Sequence, residues 1–541
     1  MPKIVIDGEE IEAREGQSVL QAASEHGIDI PHFCYHPRLK VAGNCRMCLV
    51  EIEKVPKLQV ACGTPVREGM VVSTSSERVI KARRAVLEFL LLQHPLDCPI
   101  CDQCGECTLQ DYCFRYGASR SRYNFPKQRF ARLDIGPDLV RDQNRCLRCT
   151  RCIRFLRDVA GSEEFCLSER GGHAEVGPYL EKPVTSPFSM NLVEICPVGA
   201  LTSKHFRFRG RPWLLQQVRT LCPGCSRGCN VIAWHDGRRI LRLTPAVNEE
   251  VNREWLCNPG RLTIEREQDQ LRLEEESPAD AVGEAVRALG TIPGERVAVL
   301  VSGRLGNEDL YAVAKLAREV LGTRWLATVP VQSDERPFGP LDEPLPNWFI
   351  RADKTPNGRG AGEITTAGEH VEAAELARAI KAGEVSALLA FAANPLEELA
   401  AEELGEALGK LDLLLAAATH ANGFTEMARL VLPLSGPFEN EGSYTNEAGR
   451  VQRLRQVLPA AGDRRPAWQL AQQLAVGLGA PGWNFASAAQ VMAELATKVD
   501  AFAGIASDDL GDGGVLLGAT GEQAAVETGD SHARVDTDDA H

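Results

Sequence analysis

The chain has 541 residues, 44% hydrophobic and 25% charged, with a formal net charge of −14. That length allows three or four domains with cores of their own, and the acidic balance argues against nucleic-acid binding, which needs basic patches. No apolar run approaches the roughly 18 residues of a membrane span. The opening Met-Pro-Lys-Ile-Val-Ile-Asp lacks the charged and apolar regions of a signal peptide, which predicts a cytoplasmic protein or one on the cytoplasmic face of a larger assembly. All 18 cysteines lie between Cys34 and Cys257. Disulfide frameworks belong to small secreted chains, so metal ligation is the better reading.

In chain order, residues 3–14 read as a β-hairpin turning at Asp7-Gly8. Ser18 then caps a short helix, Val19 to His26, that stops at Gly27. Cys34, Cys45, Cys48 and Cys62 follow with the spacing C-x10-C-x2-C-x13-C. Hairpin, helix and cysteine-rich loop resemble the β-grasp of [2Fe–2S] ferredoxins, and four thiolates on one long loop suit a two-iron rhombus. A structural zinc site is the competing reading, although zinc ribbons usually show two C-x2-C knuckles and this set shows one.

Residues 77–93 read as an amphipathic helix that delivers His94 and a second group, His94-Pro-Leu-Asp-Cys98-Pro-Ile-Cys101-Asp-Gln-Cys104-Gly-Glu-Cys107. One imidazole beside correctly spaced thiols predicts a ligand, and replacing a thiolate by imidazole should raise a cluster's potential. Cys104 lies inside the group and could compete. The third group, Cys146, Cys149, Cys152 and remote Cys196-Pro197, resembles half of a bacterial two-cluster ferredoxin and predicts one [4Fe–4S] cluster. Arg145, Arg148, Arg151 and Arg154 crowd it; they could offset cluster charge, but such spacing more often marks a solvated or partner-facing surface. The fourth group, Cys222, Cys225, Cys229 and Cys257, also fits one [4Fe–4S] cluster, with a hairpin across Asp236-Gly237 inside it. Cys113 and Cys166 are left over and are expected to be buried free thiols.

After residue 262 the character changes. A charged connector, Glu265 to Glu276, leads to a helix Ala279–Leu289, a strand Arg296–Ser302 and a helix Glu308–Leu321. Further strand-like runs at Val385–Ala393 and Leu411–Ala417 alternate with helical segments, which predicts a doubly wound α/β domain. Residues 330–370 read as loop. Gly358-Arg-Gly360-Ala-Gly362 is not a dinucleotide fingerprint, because no strand precedes it and no helix start follows. The tail from Ser507, with nine acids and one Arg, reads as disordered.

With all four groups in order, the chain resembles the large iron–sulfur subunit of NADH:quinone oxidoreductase (respiratory complex I). The resemblance rests on His94-Pro-Leu-Asp-Cys98-Pro-Ile-Cys101, on Gly105-Glu-Cys107-x-Leu-Gln and on the sequence of the groups. Residues 261–541 look similar to its molybdopterin-oxidoreductase-like part, through Asp353-Lys-Thr-Pro-Asn357, Ala393-Asn-Pro395 and the run from Glu439 to Gln452. Two departures are Cys104, where family members usually have glycine, and a C-terminal domain shortened around 325–385.

The resemblance implies an α/β multidomain chain. Its parts are a β-grasp [2Fe–2S] domain (1–76), a one-His, three-Cys [4Fe–4S] module (77–116), a ferredoxin-like [4Fe–4S] module (117–214), a molybdopterin-oxidoreductase-type [4Fe–4S] module (215–262), an α/β domain (263–505) and a tail (506–541). It implies one [2Fe–2S] cluster and three [4Fe–4S] clusters, with no molybdenum. Electrons from the NADH/FMN-binding subunit would enter at the Cys34, Cys45, Cys48 and Cys62 site. They would pass to the Cys146, Cys149, Cys152 and Cys196 site, then to the His94, Cys98, Cys101 and Cys107 site. From there they leave for a downstream two-cluster ferredoxin-like subunit and quinone. The Cys222, Cys225, Cys229 and Cys257 site lies off the main path in relatives that keep it. No catalytic side chain is expected, and the location implied is peripheral, on the cytoplasmic side of a bacterial inner membrane. A molybdenum formate dehydrogenase is the main rival; it would normally supply a Cys or selenocysteine to the metal downstream of the fourth cluster, and no Cys follows Cys257. An iron-only hydrogenase would need further cysteines, and a zinc-bound scaffold is the non-redox reading.

Overall fold

The protein is described from a computed structural model that covers residues 1–269, 280–337, 349–398 and 404–518. Its described residues divide into two units, 1–215 and 216–518.

The first unit begins with the predicted hairpin. Strands β1 (Lys3–Ile6) and β2 (Glu9–Glu12) pair antiparallel, and Asp7 and Gly8 at the turn take φ of 51° and 94°. Ser18 and Gln21 form a reciprocal capping box at the start of α1 (Val19–Glu25), which satisfies two backbone donors that a helix start leaves open. Strands β3 (Leu49–Ile52), β4 (Gln59–Val60) and β5 (Val71–Ser73) complete a five-stranded sheet in the order β2-β1-β5-β3-β4. Strand β5 joins β1 in parallel, so the sheet closes over α1 as a β-grasp, with Ile4, Ile6, Val19, Val50 and Val72 in its core.

Next come α2 (Glu77–Leu91), capped by Ser76, and α3 (Thr108–Tyr116), which starts immediately after Cys107. Strands β6 (Arg132–Asp134) and β7 (Leu139–Asp142) precede α4 (Arg151–Asp158). A hairpin of β8 (Phe165–Ser168) and β9 (Glu175–Pro178), helix α5 (Asn191–Ile195) and β10 (Leu201–Ser203) follow, the last pairing with β7. Under these elements lies one apolar cluster drawn from distant stretches: Phe33, Met47, Leu87, Leu109, Tyr112, Val198 and Ala200. Cys45, Cys107, Cys113, Cys146 and Cys196 pack at its edge.

The second unit opens with an antiparallel sheet of Gln216–Leu221, Asn230–His235 and Ile240–Pro245. Beyond it stands a five-stranded, all-parallel sheet ordered Leu326–Val329, Val297–Ser302, Ala387–Phe391, Leu413–Ala418 and Leu430–Pro433. Every residue of Val297–Ser302 is buried; Val297, Val299 and Val301 face one apolar layer, Ala298 and Leu300 the other. Burial on both faces is why the strand reads as a continuous apolar run, as a doubly wound sheet requires.

Several expectations for this unit change. The helix expected from Ala279 spans Ala281–Leu289, and the one expected over Glu308–Leu321 is α-helical at Asn307–Lys315 and then π-helical at Leu316–Leu321. The expected loop over 330–370 contains a helix, Gly358–Thr366, that begins at the glycine run. No side chain caps it, and Asn357 at its start is held instead by Leu305 O and Thr445 N, contacts that sequence alone does not display. The connector Glu265–Glu276 is helical to Asp269, and its remainder lies outside the described residues. Ser507–Gly518, expected to belong to a disordered tail, is folded: Leu510 and Val515 are buried, and Val515–Leu516 pairs with Arg450–Leu454. Residues 519–541 lie outside the described residues.

Candidate metal centres

The four cysteines of the β-grasp domain come from the loop before β3 and from the turn Ala61–Gly63 behind α1. Gly43, at φ 62°, and Arg46, at φ 58°, turn the backbone around Cys45. Cys34, Cys48 and Cys62 are buried. The Cys34 thiol acts on Cys45 and Cys62, and Cys48 on Cys62, so the four thiols share one neighbourhood.

Cys146, Cys149, Cys152 and Cys196 line one small cavity, together with Arg141 and Arg151. Burial pushes the Cys146, Cys149 and Cys196 thiols up to about 11, because this pocket penalises an isolated charge. Among the described residues the Nε atoms of Arg141, Arg148 and Arg151 are buried without a hydrogen-bond partner. Arg148 N donates to Cys146 Sγ at 3.3 Å. Four thiols around a cavity with orphaned cationic donors fit an anionic cluster ligated by thiolates.

The third set surrounds the loop between α2 and α3. Cys98 is exposed, and Cys101 and Cys107 are half-buried. Burial pushes Cys107 up to about 11, with smaller contributions from Cys101 and Cys98. His94 follows α2, and burial pushes its imidazole down to about 4, which leaves it neutral at pH 7, the form that ligates metal. Its charged neighbours are Asp97, Lys127, Arg145 and Asp142. Gly105, at φ 92°, turns the loop, and Cys104 Sγ lies 3.7 Å from Gln110 Oε1 on α3. Cys113 on α3 and Cys166 on β8 are half-buried rather than fully buried: Cys113 packs at the edge of the apolar cluster, and Cys166 alternates with buried Phe165 on its strand.

In the second unit, Cys222 N donates to Cys229 O at 2.8 Å, closing the C-x2-C-x3-C turn. Cys257 sits at the start of the short helix Asn258–Arg261, and Gly260 N donates to its Sγ at 3.3 Å. A Cβ on Gly260 would lie 3.1 Å from Cys222 Sγ and 3.2 Å from Cys257 Sγ, so only glycine leaves these sulfurs free to share one group. Arg266, Arg227 and Arg261 act on Cys222, Cys229 and Cys257 respectively. Among the described residues no three His, Cys, Asp or Glu side chains are spaced for a single metal ion.

The arginines near Cys146 are not the solvated face that their spacing suggested. Arg145 and Arg154 are buried. Arg145 Nε donates to Asp97 Oδ2 at 3.0 Å and Nη1 to Gly199 O at 3.4 Å. Arg154 reaches Cys34 O at 2.5 Å and Cys149 O at 3.2 Å, and Arg151 reaches Tyr35 O and Ile195 O. Asn44 Nδ2 donates to Arg148 O at 3.2 Å, and Cys101 Sγ fills the space a side chain at Gly199 would need. The first three cysteine sets are therefore in direct contact within one unit. Sequence reading missed these bridges because each joins residues far apart in the chain.

Comparison with known proteins follows the same divisions. Residues 3–77 match a 2Fe-2S iron–sulfur cluster binding domain, and 83–122 the NADH-ubiquinone oxidoreductase-G iron–sulfur binding region. Residues 136–202 match the ferredoxin-like domain of NADH-quinone oxidoreductase subunit 3. Residues 215–269 match a molybdopterin oxidoreductase Fe4S4 domain, and 357–476 the molybdopterin oxidoreductase family. The G subunit of NADH-quinone oxidoreductase from Rickettsia felis is 42% identical over 330 residues, 59% of this chain and 49% of that one. Its namesake in Rickettsia bellii is 49% identical over 265 residues, 49% of this chain and 39% of that one. The mitochondrial NADH-ubiquinone oxidoreductase 78 kDa subunit of Candida albicans is 44% identical over 265 residues, 49% and 37% of the two chains. The chain thus spans half or less of the length of these curated relatives. A solved chain of an NAD+-reducing [NiFe]-hydrogenase is 31% identical, covering 39% of this chain and 91% of that one, at a TM-score of 0.36.

Proposed function

We propose that this relative of the large NADH-quinone oxidoreductase iron–sulfur subunits is an electron relay, carrying electrons from an NADH/FMN-binding partner towards quinone. Cys34, Cys45, Cys48 and Cys62 would hold one [2Fe–2S] cluster. Cys146, Cys149, Cys152 and Cys196 would hold one [4Fe–4S] cluster, as would His94, Cys98, Cys101 and Cys107, and Cys222, Cys225, Cys229 and Cys257. Such clusters, when bound, take up and release single electrons without bond-breaking in the protein.

The observation that carries this reading is the unbroken contact between the first three sites. Arg154 and Asn44 join the β-grasp loops to the Cys146–Cys152 turn, and Arg145 and Gly199 join that turn to Asp97 and Cys101. This supports the order β-grasp site, Cys146 site, His94 site. The residues themselves hold no proton in transit; they position ligands, exclude water and set potentials through ligand type, charge and burial. The His94 site is the most open of the three, with Cys98 exposed beside Leu96 and Ile100, which are 90% and 58% exposed. That suits an exit to a downstream two-cluster ferredoxin-like subunit. Among the described residues no helix is long and apolar enough to cross a membrane; membrane contact would come through the rest of the complex, on the cytoplasmic side.

The test is metal and sulfide analysis with EPR on anaerobically prepared full-length chain. One two-iron and three four-iron clusters give about fourteen irons per chain, with no molybdenum and no NADH oxidation by the chain alone. Stoichiometric molybdenum or a bound pterin would overturn the relay reading in favour of a formate-dehydrogenase-like catalyst.

A further inference from the structure

Helix α4 carries Arg151 and Arg154 on one face, one turn apart. Each guanidinium touches backbone from both of the first two cysteine sets. Arg154 donates through Nη2 to Cys34 O at 2.5 Å and to Cys149 O at 3.2 Å, through Nη1 to Lys40 O at 2.5 Å, and through Nε to Thr150 Oγ1 at 3.4 Å. Arg151 donates to Tyr35 O, next to Cys34, and to Ile195 O, next to Cys196, at 3.2 Å. Burial lowers the pKa of Arg154, and the groups that oppose this include the Cys149, Cys34 and Cys152 thiols, taken from both sets. Arg157, the next arginine on α4, is exposed and pairs with Asp158.

A buried positive charge favours whichever neighbouring group gains an electron. We propose that Arg151 and Arg154 form a cationic bridge shared by the Cys34–Cys62 site and the Cys146–Cys196 site. They are positioning residues that tie the two ligand loops together and raise the reduction potentials of both clusters. The proposal rests on the ligand assignment above.

The test is EPR-monitored redox titration of the full-length chain. Iron and sulfide content and the unmutated protein's two signals check the ligand assignment first; absence of those signals would sink that assignment rather than the bridge. In Arg154→Gln both midpoint potentials should shift to more negative values, and Arg154→Lys should return both towards the parent. Arg151→Gln should lower both as well, and it decides the matter if Arg154→Gln does not retain its clusters. Arg157→Gln should leave both unchanged. A merely structural role moves cluster content but not midpoints in a fully loaded variant. In a variant with full iron and sulfide, an unchanged midpoint at either site would overturn the bridge.

Discussion

Leu87→Ala removes the α2 side chain at the centre of the apolar cluster beneath the first three sites. Leu87 is fully buried among Phe33, Met47, Leu109, Tyr112, Val198 and Ala200. Losing three carbon groups from water-excluded space costs about 2.4 kcal/mol in transfer alone, at about 0.8 kcal/mol each. The cavity left behind adds to this, so about 3–4 kcal/mol is expected, within the usual range for buried Leu→Ala. A unit of 215 residues responds to that by losing roughly 6–16 °C of melting temperature. Cluster-bound chains do not unfold in two states, so the assay follows thermal loss of each cluster's EPR signal in the full-length chain. Cys45, Cys107, Cys146 and Cys196 border the same cluster of side chains. The signals assigned to the first three sites should therefore fall together at the lower temperature, while the Cys222–Cys257 signal keeps its own. A shift of only a degree or two, or loss of one signal without the other two, would refute a common core beneath the three sites.

His94→Ala should alter or abolish one [4Fe–4S] EPR signal, whereas Cys104→Gly, which removes a thiol already turned towards Gln110, should leave it nearly unchanged; the opposite pattern would make this an all-cysteine site with a bystander histidine. Glu308, buried and accepting from Ser443 N and Oγ, has its pKa pushed by burial from 4.5 up to about 8. Its folded pKa is raised, so its contribution is fully present below about pH 4.5 and is lost as pH rises through about 8. Chemical denaturation across that window should show Glu308→Gln losing less stability than the parent chain as pH rises; parallel curves would remove Glu308 as the cause.

Much of the first unit is legible because its signals are local. The hairpin turns at Asp7-Gly8, Ser18 finds Gln21 three residues on, and the cysteine groups fall inside the stretches that match iron–sulfur binding domains. The strands of the parallel sheet are equally plain, since burial on both faces leaves an apolar run such as Val297–Ser302. What sequence hides is whatever depends on a distant partner. Arg154 looks like a surface charge until Cys34, 120 residues earlier, is brought beneath it. The helix Gly358–Thr366 opens on poor helix formers and holds its place through Asn357, Leu305 and Thr445. The stretch from Ser507 looks disordered because nine acids and one Arg stand among Gly and Ala, yet Leu510 and Val515 find a core that was built earlier in the chain.

The apolar cluster under the three sites also imposes a schedule on synthesis. Phe33 leaves the ribosome early, but Val198, which packs with it, follows 165 positions later in the chain. At about 5–20 residues per second that interval is roughly 8–33 s. The β-grasp lobe has its own core, centred on Ile4, Val19 and Val50, and can close without waiting. Its outer face, with Phe33 and Met47, is covered in full only when Val198 and Ala200 join Leu87, Leu109 and Tyr112. During that interval Cys146, Cys149 and Cys152 are presented without Cys196, Val198 and Ala200, which line the same cavity. On the proposed ligand assignment, completion of the Cys146 site therefore waits until residue 196 has been made.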